Sequence, residues 1–311
     1  MNSSLLLDTA QVVPLAIYNT LVTFLGLAGN TIVIYSSLRY NAIKLDKVSL
    51  MFVQNLAVAD LLYIFCNILP STVTFIAGRY VLGEVYCFVS AQISFIPGSV
   101  SNFTLLALTA YRFRMVYCPL SISLSTRTVK IIICFIWVLG SMVLDVSLGF
   151  GSKSVFVRTS AKCFSTIYQN AAASTIFTCS IFGVVFVPLI GLTIMNTALC
   201  VIAYRLSKRE ATATASPGTK ALTTVCLLSG LFIVSWAPYI AYVLWKSKDP
   251  DHVPVAMELL AYQAIELNSF GNPILYTFTN KRFGMYVVSV IRNLTGRKPL
   301  VTSRLTSGSN A

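Results

Sequence analysis

The amino-acid sequence predicts an all-α membrane protein, a seven-transmembrane helix bundle followed by a short amphipathic eighth helix. Three observations carry that prediction. First, 56% of the 311 residues are hydrophobic and only 11% are charged, with a mean hydropathy of +0.76. A water-soluble chain has to face solvent with polar surface, and this one has too little of it. Second, apolar stretches recur near residues 11–38, 48–77, 86–111, 129–150, 171–204, 221–245 and 255–279. Each can cross about 30 Å of hydrocarbon as a helix. Third, the charges are sorted between the two sides of these stretches. Seventeen basic residues against Asp46 and Glu210 fall on one side, and six against five acids on the other. Basic loops stay inside, so the carboxyl terminus is expected in the cytoplasm and the amino terminus outside. The net charge of +13 therefore reports topology and not a nucleic-acid partner.

The stretches are too long for barrel strands and show no sustained alternation, and in lipid a helix satisfies its own backbone hydrogen bonds. Residues 1–10 form a short outer terminus with a glycosylation sequon at Asn2 and no visible cleavable leader. Residues 11–279 form the one membrane domain. The first span holds Asn30, and the second carries Asp60 in mid-membrane. The third runs without charge from Ser94 to Tyr111, contains Pro97, which is expected to bend it, and ends on Arg112. The fourth is the shortest and holds Trp137 and Asp145. Asp145 either faces the bundle or pairs with a loop base such as Lys153. Pro188 lies in the fifth span, Pro238 in the sixth and Pro273 in the seventh. Residues 280–294 place Phe283, Tyr286, Val287 and Val290 at helical spacing against Lys281, Arg282 and Arg292, the pattern of a helix lying on the inner surface. Residues 295–311 form a cytoplasmic tail whose final stretch, 302–311, reads as disordered.

Among eight cysteines, Cys87 opens the third span at the outer face and Cys163 lies in the following outer loop. Facing an oxidising compartment, they can form a disulfide that ties the loop to the helix. Cys66, Cys134, Cys179, Cys200 and Cys226 lie in spans and act as small apolar residues, while Cys118 faces the reducing side. A charged Asp60 in mid-membrane is costly unless paired or hydrated. Asn30, Ser101, Asn268, Ser269 and Asn272 offer polar groups at comparable depth, enough for a wet core or a plain interhelical network. Pro238 kinks the sixth span beside Trp236, with Phe232 one turn further in, which makes either a hinge with an aromatic lever or ordinary core.

Taken in order, these residues resemble the rhodopsin-like (class A) G protein-coupled receptors from about Gly29 to Phe283. The resemblance rests on Gly29-Asn30, NLAVAD (55–60), Cys87 with Cys163, Arg112 followed by Pro119-Leu120, Trp137, Pro188, SWAP (235–238) and NPILY (272–276). It implies a receptor that passes an extracellular signal to a heterotrimeric G protein. Arg112 and Leu120 would touch the G protein, and Phe232, Trp236, Pro238, Pro273 and Tyr276 would move as the switch. The Asp60 cluster would hold a sodium ion in the resting state. Membrane lipids are further partners, through the basic inner loops.

The departures matter as much. The family places an acid immediately before the arginine of the third span, and Tyr111 stands there. The inner end of the sixth span reads SPGTK, without an acid. Asn196 replaces a common tyrosine eight residues after Pro188. Arg112 is thus expected to lack its usual restraints, which predicts ligand-independent signalling or a broken, non-signalling scaffold or decoy. A transporter or channel is the weaker alternative: no internal repeat appears, and only Asp60, Asp145 and Glu266 are available for a transmembrane ionisable path.

The ligand is open, a small molecule or short peptide. Ser94, Trp236, Tyr239, Tyr262 and Glu266 are the expected pocket. Glu266 can be the counter-ion of a cationic ligand, the partner of another side chain, or protonated and hydrogen-bonded. It occupies the position of the opsin lysine, seven residues before Pro273, so retinal cannot form a Schiff base there. Ser94 replaces the amine-receptor aspartate eighteen residues before Arg112. Enzyme chemistry has little support: the sole histidine, His252, sits in a loop with Asp249 and Asp251, and no phosphate loop or paired catalytic carboxylates occur.

Overall fold

The computed structural model describes residues 5, 7–39, 46–117, 124–149, 151, 153–166, 171–209, 217–249, 252–279 and 281–296. The Asn2 sequon, Pro119-Leu120 and residues 297–311 lie outside them, as does the side chain of Asp145.

Seven helical spans are present among the described residues. α1 (Thr9–Arg39) is the first. α2 (Lys47–Tyr63), a π turn (Ile64–Ile68) and α3 (Leu69–Ala77) form the second. The turn has a local cause: Pro70 brings no amide to the ladder, and Leu69 N reaches back five residues to Ile64 O. α3 ends on Gly78, whose φ of 66° is left-handed.

The third span is α4 (Gly83–Ile93) and α5 (Phe95–Tyr117), interrupted at Ser94. Pro97 lacks the amide that would bond Ile93 O, so the interruption falls where the ring removes that bond. α6 (Thr126–Gly149) is the fourth span. α7 (Ala171–Arg209), α8 (Pro217–Lys248) and α9 (Val255–Thr279) complete the bundle, each with an internal proline. α10 (Lys281–Leu294) follows.

Five spans are long and apolar enough on their own to cross a membrane; α6 and α9 have 24 and 25 residues, sufficient at about 1.5 Å per residue. α9 carries Glu258, Glu266 and several amides, so packing and not apolarity places it. α5 sits centrally, against α2, α6, α7 and α8, while α1 packs on α9. At that last contact a Cβ on Gly29 would come within 2.8 Å of the Pro273 ring, which is why glycine is needed there.

Between α6 and α7 a hairpin of β1 (Lys153–Val157) and β2 (Lys162–Thr166) caps the bundle, with Phe156 opposite Cys163. The Cys87–Cys163 disulfide joins β2 to α4 with a Cα separation of 5.3 Å. At the opposite end Phe283 of α10 is buried and meets Tyr276 edge-on, ring centroids 6.5 Å apart. Met285, Val288, Ile291 and Leu294 form a second, exposed apolar stripe on α10. This helix therefore packs one apolar face on the bundle and leaves a second one exposed.

Candidate functional site

A cavity runs from beneath the hairpin into the centre of the bundle. It offers about 80 Å³ to the centres of water-sized molecules, room for several waters or a small ringed ligand. Ser94, Trp236, Tyr239 and Tyr262 line it, as does Asp60 with Ser101, Asn268 and Ser269 at its deep end. Most of the pocket and polar-core residues expected from sequence thus share one space; Asn30, Asn272 and Glu266 do not line it. Glu266 is completely buried.

Lys162 stands in front of Glu266. Its Nζ donates to Glu266 Oε1 at 2.7 Å, and the side chains are 5% and 0% exposed. Of the three readings open for Glu266, the one in which it pairs with another side chain is the one present. Burial alone would lower the lysine pKa, but the carboxylate beside it holds it above its ordinary value. The placement follows from strand geometry. Side chains alternate along β2, so when Cys163 turns to α4, Lys162 and Phe164 turn to the other face. Both meet Tyr262: the Phe164 ring at 5.2 Å and the ammonium at 5.8 Å from the ring centroid. By sequence Lys162 is one of the six basic residues on the outer side of the spans. Its position directly before Cys163 was the available signal.

Deeper, Ser101 Oγ donates to Asp60 Oδ1 at 2.7 Å and Asn272 Nδ2 to Asp60 Oδ2 at 2.9 Å. Asn30 Nδ2 bonds the carbonyls of Gly26 and Ser269, tying α1 to α9. Asn55 accepts from Trp137 Nε1 at 3.0 Å and donates to Thr104 at 2.7 Å, so the NLAVAD asparagine stitches the second, third and fourth spans. In this region, among the described residues, three amide oxygens have no partner: Asn102 Oδ1, Asn268 Oδ1 and Asn272 Oδ1. Next to Asp60, such an acceptor-rich set suits a hard monovalent cation or water. Above it Phe232, Trp236 and Tyr239 form a ladder with centroid separations of 5.8 and 5.7 Å, and the buried Trp236 Nε1 has no partner. The Tyr276 hydroxyl is likewise buried and unbonded.

At the far end the structure corrects one expectation. Arg112 is not without a restraint: its Nη2 lies 3.0 Å from Asp46 Oδ2, and the Tyr111 hydroxyl donates to Asp46 Oδ1 at 3.1 Å. Asp46 caps α2, accepting from the Ser49 amide and hydroxyl at 2.9 Å each. Burial pushes its pKa up, but the Ser49 amide, the Arg112 charge and the Ser49 and Tyr111 hydroxyls outweigh that and hold it below the ordinary value. The tyrosine that replaces the family's acid thus collaborates with an acid from another span. Asn196 Nδ2 reaches Cys226 O at 3.4 Å, a contact between α7 and α8. Among the described residues His252 pairs with Asp249, both exposed, at 2.8 Å.

Comparison with known proteins agrees with this arrangement. The family described as 7 transmembrane receptor (rhodopsin family) matches residues 29–276. The chain is 28% identical over 295 residues to "Rhodopsin, GQ-coupled" of Mizuhopecten yessoensis, covering 86% of this chain and 57% of that one. It is 28% identical over 290 residues to "Neuropeptide FF receptor 2" of Rattus norvegicus, covering 85% and 69%. The chain thus spans less than two thirds of the scallop relative. The crystal structure of squid rhodopsin superposes with a TM-score of 0.71 over 100% of this chain and 98% of that one, at 19% identity. With the helix order, the disulfide and the Asp60 and Arg112 centres in place, the chain belongs to the rhodopsin family of seven-transmembrane receptors.

Proposed function

We propose that this protein is a G protein-coupled receptor of the plasma membrane that takes a small extracellular ligand in the cavity beneath the hairpin. The observation that carries this reading is the cavity itself, which touches both Trp236 and Asp60. Whatever fills it presses on the aromatic ladder next to the Pro238 kink and alters the space beside the buried acid. The hairpin end faces outside, in keeping with the disulfide and with the basic residues gathered at the other end. Activation is a population shift: the agonist has to bind the open state of α8 more tightly than the closed one. A heterotrimeric G protein then meets Arg112 and Leu120. A sodium ion beside Asp60, with Ser101 and the unpaired amide oxygens, would favour the closed state.

Nucleotide exchange on purified G proteins, with the protein in lipid nanodiscs, tests this. Exchange above the empty-disc rate, basally or with a ligand found by library screening, is the expected result. Silence with every G protein class would favour a non-signalling decoy, a reading supported by the double hold of Asp46 on Tyr111 and Arg112.

A further inference from the structure

We propose that Lys162, held in place by Glu266, is the polar anchor of the cavity, and that it selects neutral ligands carrying a hydrogen-bond acceptor on an aromatic body. This rests on the cavity being the ligand site, and it names the ligand's chemical class.

Lys162 lines the cavity and Glu266 does not. An ammonium has three N–H donors, and one is used, on Glu266 Oε1. The nearby Trp236 Nε1–H is buried and unbonded. Of the other polar groups under the hairpin, Ser94 Oγ donates to Ala91 O at 3.3 Å and Asn67 Nδ2 to Ser94 O at 3.5 Å. Within reach from this end of the cavity, Lys162 has N–H donors to spare and Trp236 Nε1–H is unbonded, with the unpaired Glu266 Oε2 behind the lysine, whereas the unanswered amide groups near Asp60 are acceptors. A ligand in the upper cavity has to supply acceptors.

Charge decides what kind. The Lys162–Glu266 pair is neutral as a unit, and its side chains are buried from bulk solvent. An added carboxylate would place two anions on one ammonium, above Asp60, in a site of low dielectric. An added ammonium would face Lys162 before it could reach the unpaired Oε2 of Glu266. A carbonyl meets neither penalty: it accepts a charge-assisted hydrogen bond and leaves the pair intact. Phe164, Trp236, Tyr239 and Tyr262 supply ring contacts for the rest of the ligand. Glu266 is therefore a positioning residue and charge partner, and Lys162 the contact.

Three one-ring probes test this: phenylacetamide, phenethylamine and phenylacetate, titrated against the full-length protein in nanodiscs by ligand-observed NMR. The amide is expected to bind about ten-fold more tightly than the other two, the scale of one hydrogen bond to a charged donor. Glu266→Gln leaves the ammonium unbalanced and should reverse the order, with phenylacetate now the tightest by about ten-fold. The double variant Lys162→Met with Glu266→Gln removes the charges together, so folding does not depend on a stranded ion. It should abolish discrimination among the three. Tighter binding of phenethylamine to the wild type, no binding of any probe, or an unchanged order in both variants would overturn the proposal. The readout uses no G protein, so probe binding without nucleotide exchange would break the receptor reading alone. Exchange driven by a cavity ligand with none of this selectivity would break only the Lys162 assignment.

Discussion

The molecule holds an ion pair near each end of the bundle, and the two are built in opposite ways. Lys162–Glu266 is closed off, with side chains 5% and 0% exposed, and joins a strand to α9. Arg112–Asp46 is open, 13% and 38% exposed, and joins the end of α5 to the cap of α2. A buried pair gains little over apolar packing, yet losing one partner strands a charge. An exposed pair is worth about 0–1 kcal/mol and is easily exchanged for water or another partner. The first is suited to fixing geometry, and the second, on the proposed receptor function, to being broken in each cycle of signalling.

Breaking the closed pair should have the largest effect. Glu266→Ala leaves the Lys162 ammonium buried without a partner, and a loss of about 3–5 kcal/mol is expected. It would appear as a marked drop in the thermal midpoint of the detergent-solubilised protein. The double variant Lys162→Met with Glu266→Gln should recover most of that drop. A Glu266→Ala protein as stable as the wild type would show that the pair is not closed off in the working molecule.

Next in size is the covalent tie that presents Lys162. Replacing Cys87 and Cys163 together by serine opens a cross-link spanning 76 residues, and about 2–4 kcal/mol of stability should be lost. Because the disulfide sets which face of β2 meets the bundle, the double serine variant and Glu266→Ala should be less than additive. Strict additivity of the midpoint shifts would show that β2 holds its register without the disulfide.

At the Arg112 end the effects are smaller on stability and larger on output. Asparagine caps a helix about as well as aspartate, so Asp46→Asn removes the charge and keeps the cap. Its thermal midpoint should stay near the wild-type value while basal nucleotide exchange rises about two- to five-fold, the range that up to 1 kcal/mol allows. Asp46→Ala should raise exchange equally and also lose about 1 kcal/mol from the missing cap. Unchanged exchange in both would show that Asp46 does not restrain Arg112.

The same contrast explains what was legible in the sequence. Polar and charged residues inside apolar spans are conspicuous, so Asp60, Ser101 and Asn272 could be placed at one depth before their hydrogen bonds were seen. Cys87 and Cys163 stood out by their position relative to the spans. Lys162 did not, because its burial depends on which way β2 faces, and that is decided by a disulfide and not by local hydropathy. Asp46 showed a local signature, an acid three residues before Ser49, from which a cap can be read. Its contact with Arg112, 66 residues on, depends on how α2 and α5 pack, and no short-range pattern encodes that. The expectation of an unrestrained Arg112 came from looking for an acid only where the family keeps one.

The smallest effect concerns pH and salt, and it separates the two ends most finely. The Asp46 carboxyl is held below its ordinary value, so its contribution is fully present above the unfolded aspartate pKa, about 3.8. It is lost only as pH falls through the lower folded value. Between pH 7 and pH 5 basal exchange should therefore owe nothing to titration of Asp46, and wild type and Asp46→Asn should keep a constant ratio. Salt should act where pH does not. At 1 M the screening length is about 3 Å, short enough to weaken a pair 38% exposed on its acidic side but not one sealed under the hairpin. Raising potassium chloride, chosen to leave any sodium effect at Asp60 aside, should move wild-type basal exchange toward that of Asp46→Asn while probe binding at Lys162 stays constant. If salt instead loosens probe binding first, the hairpin end is the more open of the two, and the assignment of one pair to geometry and the other to switching is reversed.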